Sequence, residues 1–83
     1  MPLFLDVHSI EGGVAFDDVA KARMADLRTQ SKYAVRYLRY WVDEDNGTFF
    51  CLVEAPSGDA AARVHLEAHG LIADEIHQVQ EGS

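Results

Sequence analysis

The chain is poor in the residues that staple or extend a fold. A single cysteine, Cys51, excludes an intramolecular disulfide, and a reducing cytoplasm is the expected setting. No apolar run approaches the roughly 20 residues of a membrane-spanning helix. The opening Met1-Pro2-Leu3-Phe4-Leu5-Asp6 has neither a basic start nor a long apolar core, so it does not read as a signal peptide. Basic residues are scarce, with seven Lys and Arg against fourteen Asp and Glu and a formal charge of −7. A nucleic-acid partner needs clustered cations to displace counterions, and none is present; neither nucleic acid nor membrane is an expected partner. There is no Gly-rich phosphate loop, since Gly12-Gly13 stands alone, and no CxxC pair. Residues 1–83 have room for one domain.

What is present orders itself into short elements. Leu3, Leu5 and Val7 alternate with Phe4, Asp6 and His8, a period of two that predicts a strand over 2–9. Gly12-Gly13 breaks it, and Asp17-Asp18 suits the positive end of a helix dipole. Phe16, Ala20, Met24 and Leu27 fall at helical spacing, giving about 14 residues that end near Ser31. Tyr33 to Val42 is aromatic and β-branched and predicts a strand. Asp45-Asn46-Gly47 signals a hairpin with a type I′ turn, returning along Thr48 to Glu54. Ser57 is the expected N-cap of a second helix with Ala61, Val64, Ala68 and Leu71 inward and Gly70 at its end. Ile76 to Gln80 closes the chain as a fourth strand.

The order β-α-β-β-α-β, with right-handed crossovers around one hairpin, predicts an α+β, ferredoxin-like split βαβ fold. Its antiparallel sheet would run 4-1-3-2 with both helices on one face. The other face is not polar: Phe49 and Phe50 point to opposite sides of one strand, and alternation puts Tyr37 and Trp41 on one side of another with Leu38 and Tyr40 opposite. Apolar groups on both faces imply that both are covered, which predicts a homodimer packed sheet to sheet.

Chemistry concentrates in four histidines: His8, His65, His69 and His77. His65 and His69 form H-x-x-x-H, one helical turn apart, so two imidazoles can share an ion. Residue 66 is Leu where a zinc peptidase has its catalytic Glu, so proteolysis is not indicated. The assumed topology brings the end of the first strand, the end of the second helix and the start of the fourth strand to one pole, and with them all four histidines, within one protomer or between two, according to the sheet face that His8 and His77 occupy. Imidazole suits zinc, copper and nickel alike, and spacing does not choose among them. Each histidine taken singly is more often a hydrogen-bonded surface group, and protonated His69 would also suit a helix C-terminus. Asp6 and Cys51 are the candidate supporting residues: Asp6 to hydrogen-bond a histidine and fix its tautomer, Cys51 as a thiolate or simply a small buried apolar group. The competing expectation is a small dimeric α/β-barrel enzyme acting on an organic molecule, with His8, Asp6 and Tyr37 as acid–base groups around an apolar pocket. A ligand-sensing partner module is a third.

Taken together, Met1-Pro2-Leu3-Phe4-Leu5-Asp6-Val7-His8, Tyr37-Leu38-Arg39-Tyr40-Trp41-Val42-Asp43, Phe50-Cys51-Leu52-Val53, Val64 to Leu71, Ala73 to Ile76 and Val79 to Gly82 resemble the short, single-domain, ferredoxin-like nickel-binding proteins. The resemblance spans nearly the whole chain. It implies a dimer that takes up nickel for sequestration or detoxification, without catalysis. It carries His8, His65 and His69 over as ligands. The chain departs from the family pattern at Ser9, where a second histidine is associated with it, and at His77, where an aromatic residue is usual.

Overall fold

The structure is a computed structural model and describes residues 2–82. Its elements are β1 (Leu3–Ser9), α1 (Phe16–Thr29), a short 3₁₀ turn (Gln30–Tyr33), β2 (Arg36–Asp43), β3 (Thr48–Glu54), α2 (Gly58–Ala68) and β4 (Glu75–Val79). The four strands form one antiparallel sheet in the order β2-β3-β1-β4, which is the expected ferredoxin-like arrangement. Ser57 caps α2 by accepting the Ala60 N–H at 3.2 Å, and Gly70 takes a positive φ just past the helix, as the sequence predicts.

Three local expectations are corrected. The strand predicted from Tyr33 begins at Arg36, because Gln30–Tyr33 continues the helix as a 3₁₀ turn and Ala34 closes it at φ 58°. The hairpin is not a two-residue type I′ turn. Asp43 pairs with Thr48, Gly47 N–H donates to Glu44, and only Gly47 has positive φ, so four residues make the loop. A side chain on Gly47 would meet the Ile10 carbonyl at 2.9 Å, which ties the hairpin tip to the end of β1. Finally, β2 carries a bulge between Tyr37 and Arg39, so Leu38 has no partner across the ladder. The bulge shifts the alternation by one: Tyr37, Tyr40 and Val42 pair with Val53, Cys51 and Phe49 on the helix side, while Arg39 and Trp41 turn to the open side. Tyr37 and Trp41 therefore lie on opposite faces.

The core sits between sheet and helices. Phe4, Val19, Val35, Tyr37, Phe49, Cys51, Val53, Ala55, Ala61 and Val64 are buried there. The orientation of α1 differs from the apolar stripe read in the sequence. Phe16, Met24 and Leu27 are exposed, whereas Val19 and Asp26 are buried. The helix is turned by about one residue, or roughly 100°, so the carboxylate of Asp26 enters the core in place of Leu27. What rewards that choice lies across the core on α2.

Candidate metal centre

The parity of β1 decides which chemistry faces inward. Leu3, Leu5 and Val7 look to the open side, and Phe4, Asp6 and His8 to the helices. Asp6 is 0 % and His8 1 % exposed. Asp6 lies beside Cys51 on β3 and His8 beside Phe49, whose ring stacks on the imidazole with centroids 4.3 Å apart. From α2, His65 points into the same space, also fully buried, and from α1 comes Asp26.

Asp6, Asp26 and His65, with His69, form one hydrogen-bonded cluster. His65 Nε2 lies 2.8 Å from Asp6 Oδ2, and His65 Nδ1 lies 3.0 Å from Asp26 Oδ1. Both ring nitrogens thus face carboxylates, and both donate when the ring is an imidazolium. His69, one turn later and slightly exposed, brings Nε2 to 3.0 Å from the same Asp26 oxygen and 3.2 Å from His65 Nδ1. The Leu71 backbone N–H donates to His69 Nδ1 at 3.1 Å, which assigns the remaining ring proton to Nε2. The loop that carries Leu71 is anchored to β1, since Asp74 accepts the Ser9 N–H at 2.7 Å and its own N–H donates to the Val7 carbonyl.

Electrostatics follow from this geometry. Burial alone would lower the His65 pKa, but hydrogen bonds to Asp26 and Asp6 outweigh it and raise it to about 9. Burial pushes the Asp26 carboxyl up, yet hydrogen bonds from His65 and His69 bring it below the ordinary value. His8 goes the other way. Burial, followed by repulsion from His65, lowers it to about 4. Burial, then the neighbouring Asp6, pushes the Cys51 thiol up to about 12, and burial raises the Tyr37 phenol, which donates to the Ala61 carbonyl at 3.0 Å. Three polar atoms in or beside the cluster are buried without any hydrogen-bond partner: Asp6 Oδ1, His8 Nδ1 and His8 Nε2. Each such atom ordinarily costs about 1–3 kcal/mol, so an orphaned trio at one place points to a ligand.

Two donor sets suit a metal ion: Asp26 with His65 and His69, and His8 with Cys51 and His65. The first is close to ligand geometry. Bonds of about 2.1 Å place neighbouring donors about 3.0 Å apart around an octahedral ion and about 3.4 Å apart around a tetrahedral one. The three donor atoms are already 3.0, 3.0 and 3.2 Å apart. Behind them, Asp6 receives the Nε2 proton of His65, the arrangement that fixes a ligating histidine with Nδ1 free for the ion.

The structure therefore brings His8, His65, His69, Asp6 and Cys51 together at one end of the core. It does not bring His77. That residue pairs with Leu5 and so lies on the open face, exposed, with Nε2 3.3 Å from Glu75. The even step from Leu5 across the ladder is the physical reason: direct partners share a face. Asp26 is the member that sequence reasoning missed. A signal existed, because Val19, Ala22, Asp26 and Gln30 also have helical spacing.

The cleft bordering the cluster, lined by Ile10, Gly13, Val14, Asp18, Val19, Phe49 and Leu71, holds about 140 Å³. That is below the roughly 300–1,000 Å³ of ordinary small-molecule pockets.

Fold and cluster together define a small ferredoxin-like α+β domain with a buried histidine–carboxylate centre. No curated protein matches the chain. A family model does, that of the SCO4226-like nickel responsive proteins, over residues 4–79, and the chain belongs to that family. A solved structure, SCO4226 from Streptomyces coelicolor A3(2), is similar at 40% identity and TM-score 0.88, with 98% of this chain and 99% of that one covered. Among the described residues, no helix is long and apolar enough to cross a membrane.

Proposed function

We propose that the protein binds a divalent transition metal, nickel first among them, and sequesters it without catalysis. The observation that carries this reading is the triangle of Asp26, His65 and His69 donor atoms at 3.0–3.2 Å, with Asp6 holding His65 from behind. Membership of a family described as nickel responsive supports the choice of metal. The donors themselves, two imidazoles and a carboxylate, suit nickel, zinc or iron.

Binding requires proton movement. An ion replaces the protons on His65 Nδ1 and His69 Nε2. Neutral His69 then carries its proton on Nδ1, so the Leu71 N–H contact must open. The test is calorimetry with Ni²⁺ on untagged apo protein, combined with elemental analysis. The expected result is uptake by the wild type and at least about tenfold weaker binding in His69→Ala, since loss of a ligand should cost no less than loss of an outer partner. The His65→Ala/His69→Ala double variant should bind none. Equal affinity in His69→Ala would remove the site.

We further propose that two copies pair through the open sheet face. Leu3, Leu5, Trp41, Leu52 and Val79 line a groove of about 390 Å³ there with Arg39 and Glu81. Trp41 is 48% exposed on it. Arg39 lies on the β2 side of this face and Glu75 on the β4 side, so a two-fold axis would set arginine against glutamate. Sedimentation should show a dimer that Trp41→Glu converts to a folded monomer. A wild-type monomer at tens of micromolar, a concentration of order 10⁻⁵ M, would sink the pairing.

A further inference from the structure

We infer that His8, Cys51 and His65 form a second, inner metal position that offers a thiolate and accepts a borderline ion such as cobalt, zinc or nickel. It deepens the reading above and rests on it in one respect, the shared ligand His65. The donor atoms of the three residues lie within 4.8 Å of one another, and all three residues are buried.

The decisive feature is His8. A buried imidazole normally spends at least one nitrogen on a hydrogen bond. His8 is 1 % exposed, and neither nitrogen has a partner. Its ring is held flat against Phe49 and meets His65 edge-on, with interplanar angle 89° and centroids 4.8 Å apart. The ring is thus fixed, desolvated and unbonded beside the single thiol of the chain. Cys51 comes from the neighbouring strand, opposite Asp6 on the same sheet face as His8.

Metal bonds of about 2.0 Å to nitrogen and 2.3 Å to sulfur place tetrahedral donors roughly 3.3–3.6 Å apart. The triad therefore contracts by at most about 1.5 Å from its 4.8 Å limit, through rotation of the Cys51 side chain and a small shift of α2. On binding, the thiol proton of Cys51 and one ring proton of His65 leave to buffer, and His8 contributes a lone pair. His65 belongs to both donor sets, and a neutral imidazole has one lone pair to offer, to one set at a time. Inner and outer positions are alternatives for a single ion. His69, the only slightly exposed member, marks the solvent side by which the ion reaches the outer position first.

Co²⁺ titration of apo protein tests this. A thiolate–cobalt charge-transfer band should grow in the near ultraviolet and saturate at one ion per protomer, and X-ray absorption should find one sulfur scatterer at about 2.3 Å. Cys51→Ala should lose the band while still binding Co²⁺ through Asp26, His65 and His69. Asp26→Asn should keep the band. Stoichiometric Co²⁺ binding by the wild type with neither band nor sulfur scatterer overturns the inner position and leaves the outer one standing. A band that survives in Cys51→Ala overturns it too. Absence of any Co²⁺ or Ni²⁺ binding overturns both.

Discussion

His65→Ala should unfold apo protein at least about 12 °C below the wild type. Its imidazole hydrogen-bonds both Asp6 and Asp26, at 2.8 and 3.0 Å. Those carboxylates are 0 % and 2 % exposed. Without the ring they become two buried anions facing a hole, and Asp26 keeps only His69. Breaking a buried ion pair from one side costs about 3–5 kcal/mol. A domain of this size has only about 4–12 kcal/mol in total, from roughly 0.05–0.15 kcal/mol per residue. At about 4–8 °C per kcal/mol, a loss of 3 kcal/mol or more gives the stated shift. The destabilisation comes from stranded charge and not from lost volume, and this distinguishes it from ordinary core truncation. Adding Asp26→Asn to His65→Ala should therefore recover part of the loss, with a coupling of about 1–3 kcal/mol in the double-mutant cycle. A His65→Ala variant melting within 3 °C of the wild type would show that the cluster holds no buried charge.

The fold was legible in the sequence wherever local chemistry determines it. Asp-Asn-Gly between two aromatic runs, Ser57 before an alanine-rich stripe and Gly70 after it each act over a few residues, and each appears in place. The site was legible in part, because helical spacing alone puts His65 and His69 on one face. What escaped depends on choices between nearly equal alternatives. β1 has apolar residues in both parities, so alternation does not say whether Leu3-Leu5-Val7 or Phe4-Asp6-His8 faces inward. α1 has two competing stripes, and the more apolar one, through Met24 and Leu27, faces solvent. Both choices are made by the same long-range event: Asp6 and Asp26 enter the core because His65 is there to bond them. A charged triad spread over three elements, its carboxylates 39 and 59 residues from His65 in sequence, leaves no local signature. The bulge at Leu38 is similar, since it inverts the faces of β2 without any Gly or Pro to announce it. His77 was assigned to the common pole through its place in the chain; its face is fixed by ladder parity, which sequence position does not reveal.

The stability of apo protein should peak near pH 6.5 and fall on both sides. His8 titrates at 6.5 in the unfolded chain and at about 4 in the fold. Between those values the unfolded chain holds a proton that the native state does not, so acidification favours unfolding. The full effect, about 2.5 pH units at 1.36 kcal/mol each, is about 3 kcal/mol by pH 4. His65 acts in the opposite direction. Its folded value near 9 lies above its unfolded 6.5, so the stabilisation from its proton is complete below pH 6.5 and disappears as pH rises toward 9. Asp26, held below its ordinary value, adds a further loss only at more acid pH. Urea midpoints measured from pH 4 to pH 9.5 on chelator-treated protein should trace this dome. His8→Phe, which keeps an aromatic ring against Phe49 but removes the titrating nitrogens, should flatten the acid limb and leave the alkaline limb intact. A wild-type profile level across that range would mean that neither imidazole is held in the protonation state its surroundings dictate. A dome that His8→Phe does not alter would assign the acid limb to the carboxylates instead.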